Sequence, residues 1–141
     1  TQETVVGGQF SPRAGHQVVL FNNKLYVIGG YGSSGFKNDV WSSTDGRNWS
    51  EEITTGLKFV PQYSHQAIVY NNTIYVIGGL IGFVNSDEIW SSSNGRDWTK
   101  QEAAAFGTRA GHQAILFNNK ICVIGGYGAA SVVKNDVWFS N

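Results

Sequence analysis

Three histidines, His16, His65 and His112, are all the histidines of the chain, and they stand at one position of a repeated stretch. Imidazole is a common zinc or copper ligand, so three in one register raise the possibility of a metal centre. Three acids, Asp39, Glu88 and Asp136, each stand two residues before a tryptophan and raise the possibility of acid/base work. Neither set needs that chemistry. No Cys, Asp or Glu accompanies a histidine within its run, and a residue repeated once per copy is accounted for by a hydrogen bond made once per copy. The acids recur in the same way and are expected to bond turns or neighbouring repeats, with Arg13 and Arg109 as ion-pair partners. Gln62 takes that arginine's place in the middle copy, so the pairing is not universal. The double glycines, Gly29-Gly30, Gly78-Gly79 and Gly125-Gly126, lack the lysine and following helix of a phosphate loop and read as backbone freedom at a strand exit. The residues therefore imply no catalytic group, no metal and no cofactor.

What positions these residues is the repeat itself. The stretch from His16-Gln17 to Gly29-Gly30 recurs from His65-Gln66 to Gly78-Gly79 and from His112-Gln113 to Gly125-Gly126, at steps of 49 and 47 residues. Periods in this range signal solenoids, propellers or arrays. The chain of 141 residues carries 18 Gly, 5 Trp and many short apolar runs, which favours an all-β fold. Formal charge is zero and the basic residues are scattered, so no nucleic-acid footprint is present. No apolar run approaches 18 residues, which gives no sign of a membrane span or leader. The chain has no methionine and reads as a mature or excised segment, its compartment left open. Cys122, in the place of Tyr26 and Tyr75, is expected to pack as a small buried hydrophobe.

Each copy resolves into four short strands, A to D. In the first copy they are Gln17 to Phe21, Lys24 to Ile28, the run around Trp41, and a run after Trp49. Asn22-Asn23 supplies an A–B hairpin, and Asp45-Gly46 or Asn94-Gly95 a C–D turn. Four antiparallel strands per repeat make a propeller blade. In such a blade the B–C and D–A loops share one face, and the B–C loops vary in sequence and length while the hairpins of the other face are nearly constant.

Three registers of Gly-Gly, a tryptophan 11 or 12 residues later and a second tryptophan eight residues on (Trp49, Trp98) resemble the Kelch repeat over essentially the whole chain. Only three repeats are present, and the third lacks its final tryptophan. The resemblance implies a β-propeller, commonly of six blades, that acts as a binding module; a minority of such domains are enzymes, such as galactose oxidase and the sialic acid mutarotases.

The expected architecture is one domain. Residues 1–12 form a D strand that completes a partner's blade, 13–61 are blade one, 62–108 blade two, and 109–141 a third blade lacking strand D. Three blades are too few to close a ring, so a head-to-tail homodimer of six blades is expected. The expected function is a non-catalytic scaffold that self-assembles from half-propellers, an excised or engineered fragment being one version of it. A sugar mutarotase or galactose-oxidase-like enzyme is the alternative. The candidate ligand surface, for a protein or carbohydrate and neither nucleic acid nor membrane, is the B–C and D–A face. Its residues are Arg13, Tyr31, Phe36, Tyr63, Phe83, Arg109 and Tyr127.

Overall fold

A computed structural model describes residues 1–5 and 7–141. The chain folds into three antiparallel sheets in sequence order. Sheet I contains β1 (Gln17–Phe21), β2 (Lys24–Gly32), β3 (Gly35–Ser43) and β4 (Ser50–Glu51). Sheet II contains β5 (Gln66–Tyr70), β6 (Thr73–Ile81), β7 (Val84–Ser92) and β8 (Thr99–Lys100). Sheet III contains β9 (Gln113–Phe117), β10 (Lys120–Ile124) and β11 (Val137–Phe139), with a short 3-10 turn at Ala129–Ser131. Strands follow one another across each sheet without crossover.

The local chemistry explains the connections. Asn22 and Asn23 adopt φ of 46° and 58°, as do their equivalents in the other sheets, which is the twist that a two-residue hairpin requires. In the β3–β4 turn, Asp45 Oδ1 accepts from the backbone N–H groups of Arg47 and Asn48, while Ser43 Oγ accepts from that of Gly46. These bonds hold the Asp45 carboxyl far below the usual range.

In sheets I and II the double glycine is not a strand exit, whereas in sheet III β10 ends at Ile124 and Gly125-Gly126 follow it as expected. β2 continues through Gly29-Gly30 to Gly32 with a bulge between Ile28 and Gly30, and β6 does the same around Gly78. The two glycines serve two neighbours. A Cβ on Gly29 would lie 3.0 Å from the ring of His65 in the next sheet, and one on Gly79 would lie 2.8 Å from the Cβ of His65 in its own. His65 is thus clamped between glycines of two sheets, and both glycines hold positive φ (60° and 110°). The bulges also aim backbone groups across the gap. Gly30 N–H donates to the Gln62 carbonyl and Gly79 N–H to the Arg109 carbonyl, each at 2.9 Å.

The sheets stack through opposite faces, and each joint uses the same faces. Val19, Phe21, Tyr26, Ile28 and Val40 of sheet I pack against Ile74, Val76 and Trp90 of sheet II, with Phe59 and Trp98 closing the edge. The far face of sheet II, with Ile68, Tyr70, Tyr75, Ile77 and Ile89, packs against Ala114, Ile121 and Val123 of sheet III. Residues 1–5 and 7–12 form no strand, yet Glu3, Gly8 and Phe10 lie beside sheet I as Glu52 and Phe59 lie beside sheet II. Glu3 pairs with Arg47 as Glu52 pairs with Arg96. Phe10 meets Trp49 edge to face at 5.0 Å, and Phe59 meets Trp98 at 5.1 Å.

Candidate functional site: the loop rim

The rim where the B–C and D–A connections meet is built by three bridges: Ala14 with Tyr31, Tyr63 with Leu80, and Ala110 with Tyr127. Each draws the start of one repeat against the end of its second strand, so the side chains that follow are set side by side. Tyr31, Phe36 and Tyr63 form an aromatic cluster with ring centroids 5.4 to 5.9 Å apart, Phe36 stacked on Tyr63. Beside it Tyr63, Leu80, Phe83, Val84, Asn85 and Tyr127 line a groove of about 450 Å³. Phe83 is 96% exposed at the β6–β7 turn.

Five of the seven expected ligand-facing residues, Tyr31, Phe36, Tyr63, Phe83 and Tyr127, thus come together on this rim. Leu80, Val84 and Asn85 join them. All three belong to the variable segment Leu80 to Asn85, though nothing in the sequence singles out Asn85 within it.

Arg13 and Arg109 sit elsewhere. Their side chains are 1% and 0% exposed, and each is forked onto a carboxylate, Arg13 onto Asp39 and Arg109 onto Asp136. A second carboxylate contact comes from the strand itself, because Trp41 and Trp138 donate their indole N–H to the same acids. Burial pushes Asp39 up, but the bonds from Arg13 and Trp41 outweigh it and hold the carboxyl below its usual range. A ligand on the rim therefore reaches neither guanidinium. In sheet II, where Gln62 replaces the arginine, Glu88 takes Lys100 as its partner instead and still accepts from Trp90.

The histidines line the joints between sheets. His65 and His112 are fully buried, and burial pulls both rings down to about 4. For His65 the Ile28 carbonyl opposes that shift, while the charges of His112 and His16 add to it. For His112 the charge of Arg109 adds to burial and the Ile77 carbonyl opposes them. Neither ring makes a hydrogen bond of good geometry, so the bond expected once per repeat is replaced by shape: a flat ring between two glycines. His16, which has no preceding sheet beside it, is only part-buried, and burial followed by the charge of Arg13 lowers it. Among the described residues no group of three His, Cys, Asp or Glu side chains is arranged to hold a metal ion.

No curated protein matches the chain at a significant level. A family model does: the Kelch-repeats domain of KLHDC2, KLHL20 and DRC7 matches residues 1–126. Kelch domains are typically protein-binding scaffolds without catalytic activity. With four-stranded antiparallel sheets, glycine bulges and tryptophans in one register, this all-β chain belongs to the Kelch-repeat family.

Proposed function

We propose that the chain is a non-catalytic protein-interaction scaffold that works as a head-to-tail homodimer, two half-propellers closing a six-bladed ring. One observation carries this reading: the two outer faces are the two halves of a joint that the chain already makes internally. On sheet III, Ile115, Phe117, Ile124 and Val137 are 42 to 57% exposed. Their equivalents on sheet I, Val19, Phe21, Ile28 and Val40, are at most 8% exposed beneath sheet II. On the other outer face, Val18 and Leu20 of sheet I are 51% and 66% exposed. Exposed apolar faces of this kind call for a cover, and sheet I of a second chain presents the face that sheet II presents internally. Twofold closure makes the same joint twice.

In the ring, the start of the chain lies beside β11 of the partner as its fourth strand, Thr1 and Gln2 standing where β4 stands in sheet I, while Glu3 and Phe10 stay on sheet I of their own chain. The repeats 13–61, 62–108 and 109–141 are then its blades. The ligand is a protein segment seated on Tyr31, Phe36, Tyr63, Phe83 and Tyr127, whose rings give large contact area at low entropic cost. Light scattering on the eluting protein tests the assembly. A mass of about 31 kDa (2 × 15.4 kDa) is expected, and a stable monomer of 15.4 kDa would remove the ring.

A further inference from the structure

The two joints between adjacent sheets are alike in the core but differ at the rim. Between sheets I and II, Tyr31 and Phe36 stand opposite each other on β2 and β3, and Tyr63 of the next repeat stacks on Phe36, so three rings close the gap. Between sheets II and III, the same registers hold Leu80, Asn85 and Ala110. The rings of Phe36 and Tyr63 have no counterpart there, and the groove of about 450 Å³ opens in their place, with Tyr63 and Tyr127 among its walls. Asn85 does not fill it, because its amide donates to the Gly128 carbonyl and so holds the loop that carries the far wall.

A third difference sets a charge beside the groove. The residue after Asn85 is Ser86, 5% exposed, and sheet III has Lys134 in that register. A Cβ on Gly128 would lie 3.3 Å from Lys134 Nζ and 3.2 Å from the Thr108 carbonyl, which places the ammonium at the end of the groove that Thr108 lines. Lys134 is part-buried, and among the described residues no acid pairs with it. The walls themselves carry no charge.

We propose that this groove selects an aromatic residue next to an acidic one in a partner's segment. The selection presupposes that the rim binds a protein and adds which segment it binds. The ring is specified by the filled joint, where Phe36 stands 5.4 Å from both Tyr31 and Tyr63, and such pairs are worth more than the area they bury. The acid is specified by Lys134, since a part-buried ammonium without a counter-ion favours a carboxylate beside it.

The test is a titration of the isotope-labelled intact chain with the blocked peptide Gly-Phe-Asp-Gly, followed by amide shifts in NMR spectra. Saturable shifts are expected at the Asn85 side-chain amide and at the Thr108 and Ala129 backbone amides. Alanine in place of the peptide's phenylalanine should weaken binding about tenfold or more. Asparagine in place of its aspartate should weaken it about two- to fivefold at low salt, and the difference should shrink at high salt. In the protein, Lys134→Ser should erase the preference for aspartate and keep the preference for the ring. Ala110→Tyr restores a ring of the filled joint and should abolish the shifts, with the rest of the spectrum reporting that the fold persists. The peptide series and Lys134→Ser decide the question even where Ala110→Tyr does not fold. Equal binding of the phenylalanine and alanine peptides, or an aspartate preference that survives Lys134→Ser, would overturn the proposal. Shifts confined to Tyr31 and Phe36 would overturn it while leaving the rim an interaction surface, and no shift with any peptide would count against both.

Discussion

Cys122 stands directly opposite Phe139 across β10 and β11, in the register where sheet I sets Tyr26 against Ser42 and sheet II sets Tyr75 against Ser91. The ring has moved from one strand to the other, so the pair keeps an aromatic and a small residue on the same patch. Cys122→Tyr alone sets a second ring beside Phe139, which is half exposed on the edge strand, and should cost about 1 kcal/mol or less. The double substitution Cys122→Tyr with Phe139→Ser should recover most of it. A double-mutant cycle by urea unfolding checks this, and additive losses would show the two positions to be independent.

Acid should weaken the fold between pH 6.5 and 4. His65 and His112 titrate near 6.5 when unfolded and near 4 when folded. In that window the unfolded chain binds more protons, so stability falls as pH falls, by roughly 1.4 kcal/mol per pH unit for each histidine at the steepest. Urea midpoints across pH 4 to 7.5 measure the slope. Replacing His65 by Gln should flatten it, and an unchanged slope would mean that other groups carry it.

The two kinds of ion pair should differ in weight. Arg109→Ala leaves the Asp136 carboxylate without the guanidinium forked onto it and the Gly125 and Phe106 carbonyls without their donor, and should cost clearly more than loss of an exposed pair. Lys100→Ala removes the partner of Glu88 from an exposed pair, in which the lysine side chain is 52% exposed, and should cost less than about 1 kcal/mol. Chemical unfolding of both variants compares them directly, and equal losses would contradict the contrast.

Charge on the outer face of sheet III should split the proposed ring. Ile115 and Phe117 are 56% and 57% exposed in a single chain, so aspartate there is tolerated by a monomer and buried in a dimer. Ile115→Asp is expected to shift the mass by light scattering from about 31 to about 15 kDa (2 × 15.4 and 15.4). A variant that elutes as the parent protein does would place the contact elsewhere.

Phe83→Ala should leave stability within about 0.5 kcal/mol, since its ring touches little else, yet weaken capture of a protein ligand. Thermal unfolding paired with a pull-down separates the two effects. Loss of stability alone would make the ring structural.

The repeat made the strands, the hairpins and the ion pairs of Asp39 and Asp136 readable, because each depends on residues within one copy or on a partner in the same register. What stayed hidden depends on contacts between copies. Gly29-Gly30 carries the composition of a strand end, but the need to seat His65 from the next sheet turns it into a bulge inside β2. Arg13 lies in the loop that feeds the rim, yet its guanidinium turns inward because Asp39 and the Gly29 carbonyl offer it bonds there. Asn85 enters the rim groove through bonds to the Tyr127 and Gly128 carbonyls, which no spacing announces.

The bonds from Gly30 to Gln62 and from Gly79 to Arg109 use only backbone groups, and only between adjacent sheets. A sheet therefore docks by a connector that is the same on every copy and indifferent to most side chains. Duplicating one repeat would lengthen the array without inventing a new contact, and cutting between repeats would leave two usable plugs. Such a chain can change its number of units while each unit keeps its own chemistry.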